Sequence, residues 1–247
     1  MCRMLAILTA ESLPQDIFVK FRRLSHEGHV PPRAAPGHVS GWGIYASDFG
    51  GSSLHYRSRK DAWDDPSFDL VTETMGNFAG PHSVMLHLRK ASVGTPLAVN
   101  SHPFVIEGRA FMHNGSIRGL SKSFAASRQP VGQTDSEKLF LMLLEGLKEK
   151  GLPEALGGIL PELERTDYSS LTFIMQDGTS LYAYRHFNRY EEYYTLYFAQ
   201  TESSVIFASE PFIEGFDWHM IGNRELVRAN YDGRRPEVRR AITVPTN

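Results

Sequence analysis

The sequence predicts an α+β fold of mainly antiparallel sheets, and three features point to it. Short apolar runs come in pairs joined by turn residues, as in residues 41–46 and 53–56 across Asp48-Phe49-Gly50-Gly51. Stretches with helical spacing stand in separate blocks and do not alternate one for one with strands, which argues against a doubly wound parallel sheet. No linker, internal repeat or low-complexity tract interrupts the 247 residues, so the whole chain, 1–247, reads as one domain.

The elements follow in order. Residues 3–9 form a continuous apolar run bounded by polar residues, the pattern of a strand buried on both faces. Leu13-Pro14-Gln15-Asp16 then gives turn and capping signals before Ile17, Phe18, Phe21 and Leu24, an amphipathic helical face. Residues 26–40, rich in proline, glycine and histidine, predict an irregular loop. After the first hairpin, a short helix is expected behind Asp65-Pro66-Ser67, with Phe68, Val71 and Met75 on one face. Strands are expected at 83–89, 104–106 and 110–113, the last two joined by a Glu107-Gly108-Arg109 turn. Thr134-Asp135-Ser136-Glu137 is a capping box opening a helix whose face is Leu139, Phe140, Leu143, Leu144 and Leu147, ending near Lys148-Glu149-Lys150-Gly151. A shorter helix spans about 152–163, and the last third predicts strands at 171–175, 181–184, 194–199 and 205–209.

Composition narrows the function. The chain is 41% hydrophobic, enough for an ordinary core, and carries 26 basic against 28 acidic residues, so no basic face argues for nucleic acid or an anionic membrane. One cysteine excludes an intramolecular disulfide framework and fits a reducing compartment. Residues 3–10 imitate a signal peptide, but Glu11 follows and no clean cleavage site appears, so a cytoplasmic first strand is expected. No segment reaches transmembrane length. Among the ten histidines, His26 and His29 with His38 invite a metal reading, but zinc without cysteine needs further ligands that the neighbouring sequence does not supply; neither metal nor cofactor is expected. The tyrosines between 190 and 197 read as core and interface aromatics on a strand.

The lone cysteine, Cys2, sits where removal of Met1 would leave it with a free α-amine. That amine titrates near ~7.7–8.0 in model peptides, so one residue could hold a thiol nucleophile and its base. Polar clusters close two predicted strands, Arg89-Lys90-Ala91-Ser92 and Asn114-Gly115-Ser116. Asn114 and Gly115 can offer a side-chain amide and a backbone N–H to one oxyanion, Arg89 can grip a carboxylate, and Asp135 can receive an ammonium. Each has a plain alternative: Asn-Gly is a hairpin signal, Arg89 a surface charge, Asp135 a helix N-terminal acid, and Cys2 a small apolar strand residue.

Together and in this order, Met1-Cys2, Gly41-Trp42-Gly43-Ile44, His87 to Ser92, Asn100-Ser101-His102-Pro103, His113-Asn114-Gly115 and Thr134 to Glu137 resemble the class II glutamine amidotransferase domain of the N-terminal-nucleophile superfamily. Phe207 to Pro211 extends the likeness toward stand-alone members. The resemblance implies an αββα sandwich and an amidohydrolase in which Cys2 attacks the side-chain amide of glutamine or a related γ-glutamyl amide. It places Asn114 and Gly115 at the oxyanion, Arg89 at the α-carboxylate, Asp135 at the α-ammonium, and Ser92 as a positioning group. His102 and Trp42 are expected to shape the site, and His87 and His113 to be satisfied polar groups within strands. Lys90, Val93 and Ser40 stand where many members carry tryptophan, histidine and aspartate, which bears on the pocket and the leaving group. The implied partner is a small γ-glutamyl substrate, with a separate ammonia-accepting synthase subunit if the chain supplies ammonia. A non-catalytic glutamine- or glutamate-binding module is the rival from another class.

Overall fold

The computed structural model describes residues 2–32, 34–78, 80–92, 94–120, 127–242 and 244. The chain opens with strand β1 (Arg3–Thr9), helix α1 (Gln15–Glu27), strands β2 (Trp42–Asp48) and β3 (Ser53–Ser58), and helix α2 (Ser67–Glu73). Strands β4 (His82–Leu88), β5 (Phe104–Ile106), β6 (Arg109–Asn114) and β7 (Ile117–Arg118) follow, then helices α3 (Asp135–Gly146) and α4 (Leu152–Leu163). The remainder is β8 (Asp167–Tyr168), β9 (Thr172–Asp177), β10 (Ser180–Arg185), β11 (Tyr197–Gln200), β12 (Ser204–Ala208), β13 (His219–Met220), β14 (Glu225–Tyr231) and β15 (Pro236–Ile242).

Two large sheets face each other. One has the order β13-β11-β12-β1-β4-β2-β3, the other β15-β14-β10-β9-β6-β5, and their pairings are antiparallel; β7 and β8 form a separate small pair. The inner core between the sheets holds Met4, Ala6, Leu8, Met85, Met112, Ile174, Leu181 and Val227. Leu5, Ile7, Trp42, Ile44 and Leu86 point the other way, where Ile17, Phe18, Phe21 and Phe68 of α1 and α2 cover them. On the far side, Leu139, Phe140 and Leu143 of α3 and Leu156 and Leu160 of α4 pack on Phe111, Phe173, Met175 and Tyr184. The result is the αββα sandwich. β1 explains its own sequence: alternate residues meet different cores, so both faces must be apolar and the run is continuous. Each such buried side chain contributes roughly 1.5–3 kcal/mol, which is why a strand starting at residue 3 is held in the middle of a sheet.

The capping box differs in one half. Thr134 Oγ1 accepts from the Glu137 N–H at 3.2 Å as expected, but the Glu137 carboxylate turns back to the N–H groups of Val131 and Gly132, at 2.8 and 2.7 Å. It ties down the preceding loop, and α3 ends at Gly146, short of the expected 148–151. Strands β14 and β15 carry no clear apolar pattern in the sequence, because Glu225, Arg228, Arg239 and Arg240 break up their apolar positions.

Candidate active site

β1 lies between β4 and β12, with Arg3 opposite Leu88 in register, so Cys2 emerges at the end of the sheet beside Lys90. The Lys90 backbone N–H donates to Cys2 Sγ at 3.4 Å. Cys2 N donates to Asn114 Oδ1 at 2.8 Å; Asn114 closes β6, so this contact bridges the two sheets across 112 positions of sequence. Cys2 is 7% exposed. Burial raises its thiol, but the positive chain terminus, the His87 imidazole and the Lys90 N–H outweigh it and bring the thiol down to about 6.

Asn114 is fully buried, and with Oδ1 committed to Cys2 its Nδ2 has no hydrogen-bond partner among the described residues. The next residue must be glycine: a Cβ on Gly115 would lie 2.0 Å from the Ser170 carbonyl oxygen and 2.6 Å from His113 Nε2. The hairpin reading of Asn-Gly fails here, because the chain runs on into β7, which pairs with β8 and not back onto β6.

The other expected residues gather around this point. Arg89 is 3% exposed and its guanidinium donates to the carbonyls of Thr95 at 3.2 Å and of Ser40 and Gly94 at 3.4 Å, so it is no surface charge. Asp135, at the first turn of α3, accepts the Ile117 N–H at 2.5 Å and the Ser136 N–H at 3.0 Å. Ser92 Oγ meets Ser116 Oγ at 2.7 Å; the Ser116 N–H in turn reaches Ser169 Oγ, which lies 2.7 Å from the Tyr194 hydroxyl. Ser92, Ser116, Ser169 and Tyr194 line a cavity of about 270 Å³ that Lys90 also borders. A larger hollow of about 630 Å³, under Phe49 and Tyr231, shares no residue with it.

Three expectations are corrected. His87 is not a satisfied strand histidine: both ring nitrogens are buried and unpartnered among the described residues, and its ring lies 4.3 Å from that of His102, whose nitrogens are likewise unpartnered. Burial and the neighbouring His87 hold His102 well below its usual range, hence neutral. Trp42 does not face the site; it packs 4.9 Å from Phe68 in the outer core and donates to Asp65 Oδ2 at 3.1 Å. The tyrosines at 190–194 precede β11 instead of lying on a strand; Tyr193 and Tyr194 are buried as expected, while Tyr190 and Tyr194 border the cavity. His113 is satisfied, by Ser136 Oγ at 2.9 Å and the Ser170 carbonyl at 3.0 Å. His26, His29 and His38 turn to Asp61, to Glu210 and to the Leu24 carbonyl, three separate partners. Of the departures noted in sequence, Val93 lies outside the described residues, while Lys90 Nζ donates to the Gly37 carbonyl at 2.8 Å and to Ala35, pinning the 26–40 loop beside the site.

Sequence reasoning missed the support beneath the cysteine. Arg3 Nε pairs with Glu210 Oε1 at 2.6 Å, both residues buried, while Nη1 donates to the Cys2 carbonyl at 3.0 Å and the guanidinium lies 4.9 Å over the Tyr193 ring. Glu210 also takes His29. The one available signal was a charged residue opening an otherwise apolar strand, and its partner is 207 positions away.

The comparisons with known proteins bear on this geometry. Residues 1–214 match the family model described as glutamine amidotransferases class-II. The chain belongs to the class-II glutamine amidotransferases. Among its relatives, the YafJ protein of Escherichia coli K12 is 30% identical over 154 residues, covering 61% of this chain and 56% of that one. The γ-glutamyl-hercynylcysteine sulfoxide hydrolase of Mycolicibacterium smegmatis is 28% identical over 233 residues, 92% of this chain and 95% of that one. In fold, this class-II amidotransferase resembles a glutamine aminotransferase class-II domain protein from Silicibacter pomeroyi (TM-score 0.61, 21% identity, 98% of this chain and 100% of that one). It also resembles the glutamine phosphoribosylpyrophosphate amidotransferase of B. subtilis (TM-score 0.65, 17% identity, 98% of this chain), of which it spans 49%. No helix among its described residues is long and apolar enough to cross a membrane.

Proposed function

We propose that the chain is a cytoplasmic γ-glutamyl amide hydrolase working through a thioester on Cys2, with residues 1–247 acting as one catalytic domain. The observation that carries this reading is Asn114: its Oδ1 holds the Cys2 nitrogen at 2.8 Å while its Nδ2 is buried with no partner among the described residues, a donor beside the nucleophile left free for an oxyanion. A buried donor left without a partner costs on the order of 1–3 kcal/mol, and a developing oxyanion repays it.

Once Met1 is removed, the Cys2 α-amine takes the thiol proton and Sγ adds to the amide carbonyl. Negative charge on the carbonyl oxygen is met by Asn114 Nδ2 and the Gly115 N–H. The tetrahedral species collapses as the α-ammonium protonates the leaving nitrogen, and water then cleaves the thioester to release glutamate. Arg89 exchanges its long carbonyl contacts for the substrate α-carboxylate, Asp135 receives the α-ammonium, and Ser92 orients the glutamyl group through Ser116. The near-complete mutual coverage with the mycobacterial hydrolase supports a chain that acts alone on an amide larger than glutamine. A second reading, ammonia supply to a separate synthase subunit, is favoured by the alignment with only half of the B. subtilis enzyme.

Intact-protein mass spectrometry before and after 6-diazo-5-oxo-L-norleucine tests the mechanism. The expected result is a mass lacking one methionine, then one adduct mapping to Cys2, with Cys2→Ala taking no adduct and releasing no amine. A retained Met1 and no adduct, with glutamate still raising the melting temperature, would instead identify a binding module. A glutaminase rate that rises only with an added synthase would favour the second reading.

A further inference from the structure

The cavity bordered by Lys90 and Ser116 adjoins the site through these two residues: the Lys90 N–H touches the Cys2 sulfur, and Ser116 follows Gly115 in the chain. Asn114, Gly115 and Ser116 lead into Ile117 and Arg118, so β7 carries Arg118 from the end of β6 to the cavity wall. Opposite it in register on β8 stands Asp167. The Asp167 carboxylate lies 3.7 Å from Arg118 Nη1 and accepts directly from Arg189 Nη2, so one acid orients two guanidinium groups at the same opening. Lys90 also borders the cavity, although its ammonium is held by the Ala35 and Gly37 carbonyls, and Asp167 is the one carboxylate among the residues that line it. Tyr190 completes the rim in a left-handed conformation, φ 58°, that side-chain-bearing residues rarely adopt; the N–H groups of Tyr193 and Tyr194 both reach its carbonyl at 3.0 Å, which holds the rim in that shape.

We infer that the end of this cavity formed by Arg118, Arg189 and Tyr190, away from Ser92 and Ser116, is the leaving-group subsite and that it selects a substrate whose departing amine carries a carboxylate, bound by Arg118 and Arg189; the natural substrate is then a γ-glutamyl amino acid or a derivative of one. The inference rests on the γ-glutamyl hydrolase reading. Ammonia, the leaving group from glutamine, has no use for two guanidinium groups and about 270 Å³ of room. A carboxylate does, since each guanidinium presents a fork of N–H donors of which Asp167 occupies only part. The amide C–N bond breaks in the reaction already described, and the amine leaves with its carboxylate still paired to the arginines.

The test compares kcat/KM for γ-glutamylglycine and γ-glutamylglycinamide, which share one amide and one size and differ in a single charge. The wild-type enzyme should prefer the acid by about tenfold or more, as expected for charge-assisted pairs, and the preference should shrink as salt is added. Arg118→Gln with Arg189→Gln should bring the ratio toward one, while Arg118→Lys with Arg189→Lys should keep much of it. Equal rates on both probes in the wild type would overturn the inference and leave the hydrolase intact, as would cleavage of glutamine alone. Cleavage of no amide, with Cys2 unalkylated, would overturn the underlying reading as well.

Discussion

Two polar clusters interrupt the core between the same two sheets, and they are built on opposite rules. At one end, Ser83 Oγ donates to Gln176 Oε1 at 2.7 Å and Gln176 Nε2 donates to Ser47 Oγ at 2.7 Å, so the three side chains close on one another. At the other end, Asn114 Nδ2 and the ring nitrogens of His87 and His102 are buried without partners among the described residues. β4 passes through both, carrying Ser83 at one end and His87 at the other. Burial is alike in the two places; satisfaction is not. A folded chain tolerates orphaned donors where something outside the chain is meant to meet them, and that distinguishes a site from a polar seam.

The comparison can be broken most decisively at Asn114. Asn114→Ala should lower kcat by roughly 10²–10³-fold while the fold survives, as for loss of one oxyanion donor. A steady-state assay alongside a melting curve checks it, and unchanged kcat would show that the unpartnered Nδ2 serves no oxyanion.

Acid should act next, and through the nucleophile end and its surroundings. Burial holds His38 at about 2 and His186 at about 4, with His102 also well below the usual 6.5. The unfolded chain therefore takes up these protons first as pH falls below about 6.5, and stability drops by roughly 1 kcal/mol per pH unit for each such histidine. Unfolding midpoints measured between pH 7 and 4 should fall steadily. A flat profile would mean these rings protonate in place. The Ser47, Ser83 and Gln176 cluster, having no ionisable group, contributes nothing to that slope.

The smallest effect sharpens the contrast. Gln176→Leu leaves the two serine hydroxyls only their long 3.4 Å contact with each other and should cost about 1–3 kcal/mol, a few degrees in melting temperature, with kcat unchanged. Loss of activity beyond loss of folded protein would show that the two ends are coupled.

Much of this was legible in the order of residues. The unbroken apolar run at 3–9 demanded a strand buried on both faces, Thr134 to Glu137 demanded a helix start, and the polar residues closing β4 and β6 demanded a place at strand ends. These are local demands, set by side-chain periodicity and by backbone groups a few positions apart. The partners of Cys2 are not local: Asn114 is 112 positions away, and the Arg3–Glu210 pair beneath it spans 207. Nothing in their spacing marks them, because sheet pairing, not sequence distance, brings them together. The same holds for Gly115, required by the approach of Ser170, and for Trp42, sent by strand alternation to the outer core. The sequence by itself determined most of the strands and helices up to β12 and which residue types stand at their ends. Only the tertiary structure decided which of those ends meet, because strands from distant parts of the chain had to pair before any buried donor could be found without a partner.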